Sequence, residues 1–301
     1  MKKFLIRSVL FLLPALMLLA LAECFVRSLP NTYRYNDSWL RENGRGVNTL
    51  LLGNSHGYYD FVPEAMGDSV FNLCNVSQRL EHDFFLLKCY APFCPQLRRV
   101  VMVADNSNIF DPPMEEDEPG RATYYQLYMG YPKHSAWSRY GFELASITSF
   151  WGKVGKHLRG EEMDCDSLGW GRNYRAEWSN PADFEEERMR HHCFKNWAFT
   201  VLNVRYADSI ASWCAQHRVQ LIIVQTPVCA AYTRHAAQWQ LRYVQQVAQS
   251  YSLRYGAIVA DFSCDERFEN ENFFDPDHLN DQGAKKFSSI LGDSIRALAG
   301  R

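Results

Sequence analysis

The sequence predicts an α/β fold built on a largely parallel sheet. Two observations carry that reading. Short apolar runs of strand length alternate with longer stretches of helical pattern, and the runs lack the polar alternation of half-exposed strands. A third observation marks an exception: the rhythm breaks over residues 110–195. The expected strands are residues 47–52, closing on Gly53, then 69–73, 99–103, 219–224 and 255–260, which ends at Asp261. The expected helices are residues 82–90, stopped by Pro92 and Pro95, then 197–216, 236–251 and an amphipathic closing helix over 285–298. In such sheets, sites form at the carboxyl ends of strands.

The chain has 301 residues, enough for one large domain with insertions or two small ones, and 47% of them are hydrophobic, so a sizeable core is within reach. The net charge of −2 has both signs spread along the chain, which gives no footprint for nucleic acid. The insertion is rich in Tyr, Trp and Gly, as in Tyr124-Tyr125, Gly130-Tyr131-Pro132 and Gly169-Trp170-Gly171-Arg172-Asn173-Tyr174. It reads either as a lid or substrate surface or as an irregular packed subdomain.

Residues 1–30 form a targeting or anchoring segment. Lys2, Lys3 and Arg7 are basic, and residues 4–26 are mostly apolar. That length fits a spanning helix of about 20 residues. It also fits a signal peptide cleaved near Ala20-Leu21-Ala22, although Arg7 shortens the apolar core and favours the anchor. Glu23 argues against a lipoprotein reading of Cys24. Either way the basic end stays inside, and the domain from residue 31 onward lies outside the cytoplasm. Nine cysteines match no zinc spacing, and in an oxidising compartment some are free to pair. His191-His192-Cys193 gives no metal site, because adjacent side chains on a helix point about 100° apart. No metal or other cofactor is expected.

Two short motifs carry chemistry. Leu51-Leu52-Gly53-Asn54-Ser55-His56 puts a serine just past a strand end, and Phe274-Asp275-Pro276-Asp277-His278-Leu279-Asn280 puts an aspartate three residues before a histidine. Together they supply a nucleophile (Ser55), a base (His278) and a carboxylate (Asp275) that fixes the tautomer of the base. Asp277, adjacent to His278, is expected to point away as a turn or cap residue. His56 reads better as a structural histidine than as a participant. Pro227 and Tyr232, after the fourth strand, are candidates to line the cleft or plain loop residues.

These residues resemble the SGNH (GDSL-like) hydrolase superfamily, and more narrowly its membrane-associated bacterial branch, which includes the alginate O-acetylation and D-alanyl transfer proteins. Gly53-Asn54-Ser55-His56 matches the first block of the family. Phe274, Asp275, His278, Leu279, Asn280, Gly283, Ala284 and Phe287 match the last. The resemblance covers residues 45–108 and 196–298. It implies a three-layer α/β/α, flavodoxin-like arrangement and a Ser55–His278–Asp275 triad. The middle blocks depart from the pattern: the second strand leads into Asn72-Leu73-Cys74-Asn75-Val76-Ser77-Gln78 without the usual glycine. The resemblance then implies an oxyanion hole formed by the Ser55 amide with Ser77 and Asn106, Asn106 reading equally as a turn residue.

The implied activity is a serine O-acyltransferase or esterase acting on small acyl groups of an envelope or exported glycan. Its implied partners are that glycan, a membrane protein delivering acyl groups, and the bilayer. The rivals are a non-catalytic carbohydrate-binding or assembly module keeping the fold, and a secreted lipase-like esterase. The implied location is the bacterial inner membrane, single-pass and facing outward, or the exterior after cleavage.

Overall fold

The computed structural model describes residues 1–67, 69–132, 141–161, 163–179 and 196–299. His191, His192 and Cys193, together with part of the expected insertion, lie outside the described residues. Helices α1 (Lys2–Ser28) and α2 (Thr32–Asn43) precede strand β1 (Thr49–Leu52). Helices α3 (Ser55–Asp60) and α4 (Pro63–Met66) lead to β2 (Val70–Asn72), and α5 (Leu80–Tyr90) leads to β3 (Arg99–Val103). Then come α6 (Asn106–Phe110), α7 (Met114–Asp117), α8 (Pro119–Tyr128), α9 (Ile147–Leu158) and α10 (Trp197–Gln216), followed by β4 (Gln220–Gln225). Helices α11 (Ala230–His235) and α12 (Gln238–Tyr255) precede β5 (Ile258–Asp261), and β6 (Phe273–Asp275), β7 (His278–Leu279) and α13 (Asp281–Ala299) follow.

These elements fall into two compact units: residues 1–35 with 118–163, and residues 36–117 with 164–301. The second holds the sheet, five parallel strands in the order β2-β1-β3-β4-β5. The α/β expectation is met. The central strands are buried on both faces, so Leu50, Leu51, Val100, Val101, Ile223 and Val224 are apolar without alternation. Helices α5, α6, α10 and α12 pack on one face, and α3, α4 and α13 on the other, giving three layers. The strand order reverses between β1 and β3, which opens a crevice at their carboxyl ends.

The expected insertion is not one body. Residues 164–174 belong to the sheet unit, where Leu168 O accepts from Asn72 N–H (2.9 Å) on the outer edge of β2 and so covers that edge. The expected strand 99–103 matches β3 at both ends, and the others differ from the observed strands by at most three residues at an end, the ordinary scatter of boundaries. A two-stranded hairpin, β6–β7, was not foreseen.

The first unit gathers α1, α8 and α9. The Glu23 carboxylate near the end of α1 accepts the Glu143 and Leu144 amides (3.0 Å each) and pairs with Arg27 (2.6 Å). Arg27 also donates to Gly141 O (2.9 Å). Glu143 is buried and held by Tyr128 and Lys153, whose ammonium lies 4.6 Å from the Tyr124 ring centre.

Gly53 shows how tightly the crevice is built. It takes φ +144°, and a Cβ there would stand 2.7 Å from Val103 Cγ2 on β3. We expect Gly53→Ala to cost about 2 kcal/mol or more of unfolding free energy, read by denaturant titration. An unchanged midpoint would show that the turn tolerates a side chain.

Candidate active site

Strand β1 delivers Gly53 and Asn54 to the crevice, and Asn54 caps α3. Its side-chain oxygen accepts the His56 amide (3.0 Å), and its amide group donates to both oxygens of Asp105 (3.1 and 2.9 Å). Asp105 follows β3 and caps α6 through Asn108 N–H (2.8 Å). The carboxyl ends of the two adjacent strands are thereby tied together by side chains. Ser55 is the first residue of α3, so its amide stands outside the ladder of that helix.

The β6–β7 hairpin delivers the other half. Asp275 and His278 face each other across a two-residue turn. Asp275 Oδ1 accepts the Asp277 and His278 amides (3.2 and 2.9 Å) and sits 2.9 Å from His278 Nδ1. His278 Nε2 lies 2.8 Å from Ser55 Oγ. The structure therefore brings Ser55, His278 and Asp275 into one hydrogen-bonded line from residues 223 apart in sequence. The hairpin is locked to α3 by Asp60, whose Oδ1 accepts the Leu279 amide (3.0 Å), and Ser288 on α13 donates to Asp60 O (3.0 Å). Burial pushes the Asp60 carboxyl up to about 7.

One expectation is corrected here. Asp277 does not point away. It is buried, with Oδ1 3.4 Å from His278 Nδ1 and Oδ2 3.2 Å from His56 Nε2. The Asx turn made by Asp275 swings the Asp277 side chain inward. His56 is more heavily partnered than a structural histidine on a sequence reading suggests. It is buried between two carboxylates, with Nδ1 2.6 Å from Asp105 Oδ2, and its ring centre is 4.6 Å from that of His278. Burial works against a charged ring, but Asp105 and Asp277 outweigh it and raise His56 to about 10. At neutral pH it is an imidazolium donating from both nitrogens. His278 is shifted the same way: burial opposes the charge, while Asp275 and Asp277 raise it well above the usual histidine value. Of the residues that sequence reasoning missed, Asp105 carried a usable signal, since it follows a strand end as Asn54 does.

The other expected residues, Ser77 and Asn106, lie in the segments that follow β2 and β3. Ser77 occupies a tight turn after β2 at φ +58°. The Asn106 amide donates to the Tyr232 hydroxyl, and its Oδ1 has no hydrogen-bond partner among the described residues. With His56, Gln225 and Tyr232 it lines a cavity of about 30 Å³, room for about one water molecule. Tyr232 thus lines the inner side of the site; Pro227 does not touch that cavity.

The aromatic motif of the insertion is spent on packing. Trp170 is buried and donates to Tyr59 O (2.7 Å). Tyr174 is sandwiched between Tyr59 (3.7 Å) and Phe274 (4.0 Å) and meets His278 edge-on at 5.3 Å. Both faces of Tyr174 are taken, so this motif packs against the sheet unit, the second of the two readings of the insertion, at residues 164–174. The stack walls the His278 ring.

His56, Asp277 and His278 bring one possible ligand atom each within 4.8 Å of one another. A cation there would have to displace the His56 proton that already bridges to Asp277. No disulfide joins the eight described cysteines, five of which are buried, and burial raises Cys94 to about 11 and Cys214 to about 12.

No family model matches the sequence, and no curated protein matches it. Similarity is found to solved structures. One is provisionally named as a platelet activating factor from Streptococcus pneumonia, at 11% identity over 96% of this chain and 99% of that chain, with a TM-score of 0.45. A second is a GDSL-like lipase from Bacteroides thetaiotaomicron, at 8% identity over 89% and 99%, TM-score 0.43. A third is a lipase/acylhydrolase from Enterococcus faecalis, at 9% identity over 83% and 96%, TM-score 0.39.

The bridging imidazolium makes a stability prediction. Its folded value of about 10 exceeds the ordinary 6.5, so its stabilisation is full below pH 6.5 and fades as pH rises through 10. Replacing His56 with Gln leaves buried Asp277 and half-buried Asp105 without their cation. It should cost about 3–5 kcal/mol at pH 7 and flatten the decline between those pH values, measured by urea unfolding. An unchanged pH profile would mean the ring is neutral in the folded protein.

Proposed function

We propose that this protein is a serine esterase or O-acyltransferase working through a Ser55 acyl-enzyme. The observation that supports it is the line Ser55 Oγ–His278 Nε2 (2.8 Å) and His278 Nδ1–Asp275 Oδ1 (2.9 Å) at the strand crevice. In this reading Ser55 Oγ attacks an acyl carbonyl as neutral His278 takes its proton. The imidazolium then returns that proton to the leaving oxygen. Asp275 holds the Nδ1 proton and so sets the tautomer. The Ser55 amide supplies one oxyanion donor, with Ser77 and Asn106 as the other candidates. A second nucleophile, water or a sugar hydroxyl, accepts the acyl group.

The resemblance in the two end motifs supports placing this chemistry with the SGNH hydrolases. The long apolar helix α1, 27 residues with Pro14 inside it, supports a membrane-anchored form with the catalytic unit outside the cytoplasm. Anchoring favours transfer to an envelope glycan, because it would hold Ser55 near a membrane partner that supplies the acyl group.

The test is hydrolysis of a chromogenic acetyl ester by the detergent-solubilised full chain, with intact-protein mass read alongside. Ser55→Ala should lose about 10⁴-fold or more in rate, and the wild type should trap an acetyl adduct that the variant lacks. Turnover and adduct that survive in Ser55→Ala would overturn the reading; candidate glycans added to the acylated enzyme separate transfer from hydrolysis. The pH profile makes a second prediction. Because Asp275 and Asp277 raise His278, the acid limb of kcat/KM should lie above pH 6.5. Asp277→Asn removes one of the two charges and should move that limb to lower pH.

A further inference from the structure

Helix α9 carries an apolar stripe whose Ile147, Trp151 and Leu158 are exposed and whose Val154 is half-buried. Ile147, Trp151, Val154 and Leu158 follow the i, i+4, i+7, i+11 spacing and so share one side of the helix. Ile147 is 69% exposed, Trp151 63% and Leu158 79%. An isolated exposed Leu means little, but a full apolar stripe on an ordered helix calls for an apolar neighbour. The opposite side is already committed, with Lys153 paired to buried Glu143.

The position of α9 identifies that neighbour. Residues 4–22 of α1 span about 29 Å at ~1.5 Å per residue, close to the ~30 Å hydrocarbon core of a bilayer. The charged pair Glu23 and Arg27 comes next, at headgroup height. Glu23 holds the amides of Glu143 and Leu144, only a few residues before α9. The Phe25 ring meets the His157 ring of α9 at 5.9 Å, edge to face. Phe25 thus puts the end of α1 beside α9, and Leu21 and Phe25 are exposed as Ile147, Trp151 and Leu158 are. Trp151 at mid-stripe is the residue type enriched at that boundary.

We infer that α9 is an interfacial helix that lies in the outer surface of the bilayer, its Ile147–Trp151–Leu158 face in the acyl-headgroup boundary. The inference rests on reading α1 as an anchor. A spanning helix alone leaves a domain free to swivel; a second, in-plane contact from the same unit fixes the tilt of that unit at the membrane.

The test uses the full chain reconstituted in phosphatidylcholine–phosphatidylglycerol vesicles whose lipids are brominated near the top of the acyl chains. The Trp151 emission is obtained as the difference between wild type and Trp151→Phe, a change at an exposed position. Bromolipid should quench it by about half or more, and aqueous iodide should not reach it. Carbonate extraction of the same vesicles reports the anchor separately. A chain that resists extraction while Trp151 is open to iodide and blind to bromolipid overturns this inference and leaves the anchor standing. An extractable chain with exposed Trp151 overturns both. An extractable chain whose Trp151 is still quenched overturns the anchor and with it this placement of α9.

Discussion

The site depends on one buried cation. His56 sits between Asp105 and Asp277 and neutralises the two carboxylates that would otherwise be the costliest groups in the crevice. Asp105 belongs to the end of β3, His56 to the helix after β1, and Asp277 to the hairpin that carries His278. One imidazolium therefore joins all three pieces of backbone that position Ser55 and His278. Asn54 extends the same network by donating twice to Asp105. The low dielectric of the crevice strengthens each of these contacts and makes the loss of any one severe.

The network also bears on the proposed chemistry. His278 faces two carboxylates, Asp275 at hydrogen-bond distance and Asp277 slightly farther. Together they outweigh burial and raise the ring well above the usual histidine value, so the neutral base is populated on the alkaline side of that shift. Asp275 orients the ring, and Asp277 is shared with His56. Walled by Tyr59, Tyr174 and Phe274, the His278 ring has little freedom to leave this geometry.

Around that centre the fold supplies rigid supports. Gly53 lets β1 turn against Val103 with no side chain between them, and Asp60 ties α3 to β7 so that the Ser55 and His278 backbones move together. The loop over residues 164–174 closes the edge of β2 and lends Tyr174 to the wall. In the other unit, the Glu23 and Glu143 contacts bind the end of α1 to the start of α9, so the helix of membrane-spanning length is followed at once by ordered protein.

Much of this was legible in the sequence by itself. The alternation of apolar runs and helical stretches gave the α/β class, because strands buried on both faces must be apolar at every position. Ser55 after a strand end, with Asp275 three residues before His278, was legible because the reach of Asp275 to the ring is local. What only the tertiary structure decided is which charges face one another across long separations. His56 meets Asp105 49 residues on and Asp277 221 residues on, and no spacing rule reaches that far. Local reasoning turns Asp277 away from its neighbour and gives His56 a structural role without naming its partners. The hairpin register and the switch in strand order put them in one buried network, where desolvation makes their pairing compulsory.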